Sequence, residues 1–479
     1  MSDFDHQLSV AHLAAQVDSR DGEGMKRILS KCFTVSIAIS VFAMSGSAAD
    51  TQATARLKER GKELQPLVTR VSSSVYCASG YSPANISMIV GKDGIVIVDA
   101  GMFPAHAAAV LKEFRKITDL PIKGIILTHG HGDHTGATIT FYNEREPHPD
   151  IYARAPFNTE GKRFKDAGIF VNRIRGARQG GFLLPPAKRI NNGIALPVYP
   201  KKGSNVFSKA PPQPTKTFQD GRLRVSVAGL DLELVAAPGE TDDQLYVWFP
   251  KERVVFAGDN FYQSWPNLYA IRGTVYRDVM DWIQTLDKML AEKPDHVVPG
   301  HTRPLVGKPR ATEVLTNYRD AIRHVFQETI RGINEGRTPD ELAALVKLPK
   351  RLRNLDYLRE YYGSIEWSVR AIFTGYLGWF DGNPTSLFSL PPAEEAKRMA
   401  KLAGGENALR QAAAKALKDG DAQWCAELSD HLLALNSGDQ NARSLKAAAL
   451  EMLAENLITA TGRNYYLTVA QDLRRKKDR

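Results

Sequence analysis

Short apolar runs, each closed by glycine or polar residues, recur along the chain from Val71 to about residue 300. Val71 to Asp99 alternates strand-like runs with turns, and Ala105 to Lys116 has the spacing of a helix that precedes a further apolar run, Ile122 to Leu127. Strands that alternate with helices predict a layered α/β sandwich. Residues 156–218 show little periodicity, so we predict a long loop there, and a loop of that length is expected to form a wall of a substrate pocket.

From about Asn317 the pattern becomes helical and stays so. Helix-type spacing extends over three separate stretches, Ala408 to Leu417, Ala422 to Leu435 and Ala442 to Ile458. We therefore predict an α/β domain over residues 50–325 and an all-α domain over residues 326–479. Paired helices of this length cannot bury their apolar faces alone, so they pack either on the α/β domain or on a second copy of the chain.

The amino terminus has the pattern of a targeting segment. A basic start, Met25 to Arg27, precedes an apolar run from Cys32 to Met44 and the small residues Ser45 to Ala49. We predict an amino-terminal extension and signal peptide over residues 1–49, with cleavage after Ala49 and export to the periplasm or the medium. The apolar run is too short to span a bilayer, so no stable membrane insertion is expected. Met25 is a candidate translation start.

Composition narrows the class of protein. A hydrophobic fraction of 43% and a charged fraction of 24% are ordinary for a soluble globular protein. The net charge of +10 attracts anions. Nucleic acid is one such anion, but the chain has no aromatic-basic motif and no zinc-finger spacing, so we predict no nucleic-acid partner. Cys77 and Cys425 lie in different predicted domains and no Cys-x-x-Cys occurs, so we expect two unpaired buried thiols and a metal site without thiolate.

Candidate chemistry is concentrated directly after the apolar run that ends at Leu127. There the chain places His129, His131, Asp133 and His134 within six residues. Imidazole and carboxylate are the ligands that zinc prefers when thiolate is absent. A polar loop whose histidines face solvent is the alternative, but the clustering favours a metal site. Alternation gives His129 and His131 one direction, while the next two side chains can turn toward a second point, which suits two ions better than one.

Further ligands are expected at comparable positions elsewhere. Three more apolar runs end in a glycine-containing loop that carries a carboxylate or an imidazole, namely Glu240, Asp259 and His301. Singly, each has another interpretation: Glu240 could begin a helix, Asp259 could form an Asx turn, and His301 could be an ordinary loop histidine with His296 as a rival ligand. Their recurrence at the ends of strands favours a shared site.

These residues carry a resemblance to a known family. The stretch Thr128 to His134 contains the pattern His-x-His-x-Asp-His, and the sequence resembles the metallo-β-lactamase-fold hydrolases and, within them, the zinc-dependent alkylsulfatases. The resemblance implies a first zinc ion held by His129, His131 and Glu240. It implies a second held by Asp133, His134 and His301, with Asp259 bridging the two. Asp133 and Asp259 are accordingly the predicted catalytic residues, and a carboxylate at position 240 is typical of the alkylsulfatase branch.

Other segments extend the resemblance from about residue 70 to 475. Asn267 to Gly273 is similar to the segment with which alkylsulfatases bind sulfate, which implies that Asn267 and Arg272 bind the substrate. Three segments resemble the start and end of the family's dimerisation domain, namely Tyr357 to Gly363, Tyr376 to Pro384 and Arg463 to Thr468. The implied architecture is a metallo-β-lactamase αββα sandwich followed by an all-α dimerisation domain, in a homodimer.

The chain also departs from the family pattern. Asp259 stands where alkylsulfatases carry glutamate, and Trp367 stands in a segment where that family has a histidine. Longer members carry a further carboxyl-terminal domain resembling a sterol-carrier protein, which we expect this protein to lack. These departures leave the superfamily unchanged but loosen the prediction of the substrate.

We therefore predict an exported dinuclear zinc hydrolase that cleaves organic sulfate esters, most of all alkyl sulfates such as dodecyl sulfate. Two zinc ions activate water and neutralise developing charge on oxygen, and Arg272 and Asn267 suit the oxygens of a permanently anionic sulfate. Arg175, Arg178 and Lys188 are further candidate cations. The sequence leaves open whether water attacks sulfur or carbon. It also leaves open a lactam, lactone or phosphodiester hydrolase on the same metal site, and an inactive dimeric anion-binding protein.

Overall fold

Two mixed β-sheets carry the first part of the chain. The computed structural model describes residues 50–197 and 211–475. The first sheet has seven strands in chain order, antiparallel from β1 to β4 and parallel from β4 to β7. Its strands are β1 Leu67–Arg70, β2 Val75–Ser79, β3 Ile86–Val90, β4 Ile95–Val98, β5 Ile122–Ile126, β6 Asp150–Arg154 and β7 Lys216–Phe218.

The second sheet has six strands in the order β13-β12-β11-β10-β9-β8. All neighbours in it are antiparallel except β11 and β12, which run parallel. Its strands are β8 Arg222–Val227, β9 Leu230–Ala236, β10 Leu245–Phe249, β11 Val254–Gly258, β12 His296–Pro299 and β13 Leu305–Val306.

The two sheets face each other across an apolar layer and are covered by helices on their outer faces. Val75, Val96 and Ile126 of the first sheet pack in one cluster with Leu234 and Phe256 of the second. Every residue of β4 and β10 is buried, which explains why these strands are apolar without alternation. The helices of this part are α1 Gln52–Glu63, α2 Pro104–Phe114, α3 Gly132–Thr135, α4 Thr138–Tyr142, α5 Thr159–Asp166, α6 Val171–Gln179 and α7 Val279–Ala291.

Helix α2 covers the first sheet and helix α7 covers the second. Val110 and Phe114 of α2 pack against β4 and β5 residues, and Trp282 and Leu286 of α7 belong to the core under the second sheet. Helix–sheet–sheet–helix layering is the αββα sandwich that the sequence predicted, and the helical part that follows confirms the predicted fold class.

The remaining helices complete the second half of the fold. They are α8 Lys308–Asn334, α9 Pro339–Leu345, α10 Lys350–Arg353, α11 Ile365–Leu377, α12 Pro392–Leu402, α13 Glu406–Lys418, α14 Ala422–Leu435, α15 Gln440–Glu455 and α16 Ala460–Arg474. Helix α8 begins nine residues before Asn317 and runs unbroken through the predicted boundary at 325/326. The division into two domains at that residue stays a prediction.

The predicted loop over residues 156–218 is wrong in part. It contains α5, α6, a 3-10 turn at Pro186–Lys188 and strand β7. Ile169, Phe170 and Val171, around the start of α6, are exposed, so they produce no periodic apolar stripe for the sequence to reveal. Helix α6 is instead fixed by tertiary contact with α16, where Arg178 Nη2 lies 2.8 Å from Asp472 Oδ2.

The sequence also led to predictions about the cysteines, membrane insertion and the amino-terminal segment. Cys77 and Cys425 are both free and buried, as expected. Within residues 50–197 and 211–475, no helix has the length and apolar character needed to cross a bilayer. The predicted signal peptide lies outside the described residues.

Candidate active site

The histidine-rich loop begins where β5 ends. His129 Nε2 and His131 Nδ1 lie 2.9 Å apart, and His131 is the residue before the short helix α3, which carries Asp133 and His134. Thr128 Oγ1 lies 3.1 Å from His129 Nδ1. His129 and His134 are completely buried, so their polar ring atoms need partners inside the protein.

Asp99 orients this loop from the neighbouring strand. It follows β4 with a positive φ of 59°. Its Oδ1 accepts a hydrogen bond from Thr128 N (2.8 Å), and its Oδ2 accepts from Thr128 Oγ1 (2.9 Å) and from His134 Nδ1 (2.7 Å). Because Nδ1 of His134 is engaged in this way, Nε2 is the atom directed into the site. The sequence analysis did not identify Asp99, although a carboxylate directly after a fully apolar strand was an available signal.

The second sheet brings Asp259 and His301 to the same place. Strands β11 and β12 are parallel neighbours, so the loops that follow them leave from one edge. A Cβ on Gly300 would lie 2.0 Å from Asp259 Oδ1, so this close approach of the two loops requires glycine. His301 Nδ1 is bound to Pro83 O at 2.7 Å, and its Nε2 lies 3.1 Å from Asp259 Oδ2. His296, the rival ligand, instead accepts a hydrogen bond from Gly307 N through Nδ1 at 3.2 Å.

The predicted ligands form two groups of potential donors. His129, His131 and Asp259 form one group, and Asp133, His134 and His301 form the other; the ligand atoms within each group lie within 4.8 Å of one another. Asp259 also lies close to the second group, with Oδ1 3.2 Å from His134 Nε2. These two atoms are buried, and neither has a hydrogen-bond partner among the described residues. Buried polar atoms left in this way, together with an all-imidazole and carboxylate donor set, fit a metal centre.

Glu240, the seventh predicted ligand, is buried beside the first group but is not a member of it. Its Oε1 is 3.6 Å from His131 Nδ1, and its Oε2 forms an ion pair with Arg277 Nη1. Its backbone N–H donates to Asn260 Oδ1 at 2.8 Å, which fixes the loop after β9. Burial raises the pKa of the Glu240 carboxyl, and Arg277 opposes that rise.

The electrostatics of the buried groups are dominated by their neighbours. Burial, together with the charges of His134 and His131, holds the pKa of His129 well below its usual value, so its ring is neutral, as a metal ligand requires. Burial opposes ionisation of Asp259, but His301 and His134 hold the pKa of its carboxyl well below the usual range. An ionised Asp259 carboxylate therefore lies beside the imidazoles of His134 and His301.

Arg272 reaches the same centre from the loop after β11. Its Nη2 lies 3.2 Å from His131 Nε2 and 3.2 Å from Glu160 Oε1. Thr274 Oγ1 donates to the other Glu160 oxygen at 2.8 Å. Asn267 is buried, and its Nδ2 has no hydrogen-bond partner in the described part of the chain, while its backbone N–H donates to Tyr262 Oη at 2.7 Å.

Glu160 and Arg277 are the functional residues that sequence reasoning missed besides Asp99. Glu160 lies in the aperiodic stretch over residues 156–218, which contains several carboxylates, and no motif distinguished Glu160 from the others. Burial would raise the pKa of its carboxyl, but His131 and Arg272 hold that pKa far below its usual value. The carboxylate therefore stays charged beside Arg272.

The other candidate cations are arranged differently from Arg272. Arg178 pairs with Asp472, and Lys188 Nζ lies 3.3 Å from Glu451 Oε1, so both contact the last helices. Arg175 lines a cavity of about 560 Å³ together with Ile271 and Trp367. Trp367 also lines a second cavity of about 410 Å³, with Leu268 and Tyr276 in its wall.

Family profiles match both halves of the chain. The Metallo-beta-lactamase superfamily profile matches residues 80–301, and the Alkyl sulfatase dimerisation profile matches residues 338–476. The sandwich and its ligand-bearing loops therefore define a protein of the metallo-β-lactamase superfamily with an alkylsulfatase dimerisation domain.

Characterised relatives narrow the class further. A linear primary-alkylsulfatase from a Pseudomonas strain is 37% identical over 397 residues, which cover 81% of this chain and 74% of the relative. A second linear primary-alkylsulfatase from Pseudomonas sp. is 32% identical and covers 84% of this chain and 60% of the relative. The solved structure of the stereoselective inverting sec-alkylsulfatase Pisa1 from Pseudomonas sp. is 26% identical, with a TM-score of 0.80 over 89% of this chain and 69% of that one. The chain belongs to the alkylsulfatase family, whose members are sulfuric ester hydrolases.

Proposed function

We propose that the protein is a dinuclear zinc hydrolase that cleaves alkyl sulfates, such as dodecyl sulfate, to the alcohol and inorganic sulfate. The observation that carries the proposal is the convergence of the seven predicted ligands, from four separate loops, beside the partly buried Arg272. The two linear primary-alkylsulfatases described above support the ester class.

The family resemblance assigns a set of residues to each ion, and the structure places Asp259 in the first donor group with Glu240 beside it. His129, His131 and Glu240 would hold the first zinc, Asp133, His134 and His301 would hold the second, and Asp259 would bridge them. His134 Nε2 and Asp259 Oδ1 support this assignment, since both atoms are buried and neither makes a hydrogen bond among the described residues. When bound, the zinc pair supplies an activated water and neutralises negative charge on oxygen.

The protein's own groups bind and orient the ester. Arg272 presents a guanidinium to the sulfate oxygens, and sulfate takes the place of the Glu160 carboxylate as its partner. Helix α6 fixes Arg272, because Gln179 Oε1 accepts a hydrogen bond from Arg272 N at 3.2 Å. Asp133, with 30% of its side chain exposed, faces the opening, while Asp259 lies buried behind it.

A panel of substrates tests the proposal. Purified protein should release sulfate from dodecyl sulfate, contain about two zinc ions per chain, and leave nitrocefin and bis-nitrophenyl phosphate intact. Faster turnover of nitrocefin or of the phosphodiester would instead indicate another metallo-β-lactamase-fold hydrolase. Two zinc ions with no turnover on any ester would indicate an anion-binding protein without catalysis.

We also propose export and homodimerisation. The signal-like residues 25–49 support export, and amino-terminal sequencing of protein recovered from the periplasm should begin at Asp50. A start at any earlier residue would contradict cleavage after Ala49. The match to an alkyl sulfatase dimerisation profile supports a homodimer.

A further inference from the structure

Arg277 is a buried arginine behind the first donor group. Only 2% of its side chain is exposed, and its Nη1 contacts both Glu240 Oε2 and the backbone oxygen of Asn267. Its Nε and Nη2 atoms are buried without hydrogen-bond partners in the part of the chain that the structure describes. The guanidinium thus depends on Glu240 as its counter-charge.

Glu240 is buried beside Arg277 in the same way. Only 5% of the Glu240 side chain is exposed, so water cannot solvate its carboxylate. Removing one partner from a buried pair leaves an uncompensated charge, which is strongly destabilising. Arg277 contacts Oε2 of Glu240, while Oε1 of Glu240 points toward His131 Nδ1. The ion pair therefore determines which carboxylate oxygen faces the metal centre.

We propose that Arg277 is a positioning residue for the metal centre: its ion pair holds Glu240 in its ligating orientation and ties it to the Asn267 backbone. This inference rests on the proposed zinc site. The contact with Asn267 O joins the ligand to the segment that leads to Arg272, so Arg277 links the metal ligand with the sulfate-binding segment. A purely structural arginine would affect stability without affecting one zinc ion more than the other.

Zinc content and zinc affinity test this role without using activity. Arg277→Met keeps an unbranched, flexible side chain but removes the charged guanidinium. We expect one of the two ions to bind about 10- to 100-fold more weakly, measured by chelator competition and elemental analysis. The matched control is Arg115→Met, which removes a partly buried pair with Glu144 at the end of α2, away from the donor groups, and should keep both ions at unchanged affinity.

A compensating variant distinguishes an effect of Arg277 on the metal centre from a general loss of stability. A neutral imidazole also binds zinc but needs no buried counter-charge. Glu240→His/Arg277→Met should therefore bind the first zinc more tightly than Glu240→His alone, in which Arg277 remains buried and unpaired. If Arg277→Met alone does not fold, the comparison of the double variant with Glu240→His still tests whether Arg277 acts on the metal centre.

Two outcomes would overturn the inference. If Arg277→Met binds two zinc ions with unchanged affinity, Glu240 needs no partner. If the double variant binds the first zinc no more tightly than Glu240→His does, the charge of Arg277 is irrelevant to the metal centre. Wild-type protein without zinc would overturn the proposed function as well, so the two failures are distinguishable.

Discussion

Arg272 is placed where a sulfate and a metal ligand would meet, between His131 and Glu160. We predict that Arg272→Ala lowers kcat/KM for dodecyl sulfate by about 10²- to 10³-fold, since a preorganised charged donor in a closed site is worth several kcal/mol. Zinc content should stay at the wild-type value, because Arg272 is not among the predicted ligands. Turnover and elemental analysis on the same sample check both statements.

Arg173→Ala is the matched control for that substitution. Arg173 lies on the same helix as Gln179 but is exposed, and no metal or substrate role is assigned to it. Its removal should leave kcat/KM within about twofold of wild type, as is usual for surface substitutions. Loss of zinc in Arg272→Ala would contradict its assignment to the substrate.

Glu160 competes with the substrate for Arg272. We predict that Glu160→Gln lowers KM for alkyl sulfates, because the substitution keeps the shape and the Thr274 hydrogen bond but removes a negative charge from the anion site. The effect is expected to be about two- to tenfold, as for one charged contact of modest net strength. Initial rates over a range of substrate concentrations measure it. A higher KM would mean that Glu160 orients Arg272 rather than competing for it.

At the scale of elements, the site depends on the adjacent ends of parallel strands β4 and β5. Asp99 at the end of β4 accepts hydrogen bonds from Thr128 and His134, which follow β5. We predict that Asp99→Asn weakens zinc binding at the second position about 10- to 100-fold, because the partner of a ligating histidine fixes its tautomer and ring orientation. Chelator competition measures the change, and unchanged affinity would contradict it.

The strand ends were also the part of the site that the sequence could predict. Apolar runs closed by glycine and an imidazole or carboxylate placed His129, Glu240, Asp259 and His301 correctly at the ends of strands, because burial and turn chemistry are local properties. The identity of the ions remains a prediction. Pairing β11 with β12 follows from chain topology, and the sequence pattern did not reveal it.

What the sequence could not predict depends on tertiary contacts. Arg277 and Glu160 matter only because folding buries each of them against an oppositely charged partner, and neither occurs in a local motif. Helices α5 and α6 were predicted as loop because α5 buries no residue and the apolar residues around the start of α6 are exposed. Packing against α16 and against Arg272 keeps α6 in place instead.

For the whole molecule, the metal centre joins the two sheets. His129 and His134 come from the first sheet and Asp259 and His301 from the second, so bound ions would cross-link the sandwich. We predict that EDTA lowers Tm by about 5–10 °C, since a ligand present at a thousand times its Kd contributes about 4 kcal/mol. Scanning calorimetry measures the shift. Zinc should restore the original Tm and magnesium should not, because magnesium prefers all-oxygen ligands; an unchanged Tm after verified zinc removal would contradict a cross-linking role.

The surface of the helical half supports a second copy of the chain as its partner. Trp379, Phe388 and Leu402 are 70%, 95% and 84% exposed, and the first two lie in the segment between α11 and α12. Large exposed apolar side chains within the region that matches the alkyl sulfatase dimerisation profile indicate an interaction surface. We predict that Trp379→Glu/Phe388→Glu converts a dimer to a folded monomer, because two buried carboxylates at an interface cost more than the lost contacts recover.

Light scattering after size exclusion measures the mass, and circular dichroism verifies the fold. Phe170→Glu is the matched control, since Phe170 is 72% exposed but precedes α6 in the catalytic half. If dimerisation belongs to the helical half, the control remains a dimer while the double variant does not. A monomeric Phe170→Glu beside a dimeric double variant would instead place the interface on the catalytic half, beside the helix that fixes Arg272, and would make sulfate binding depend on the partner.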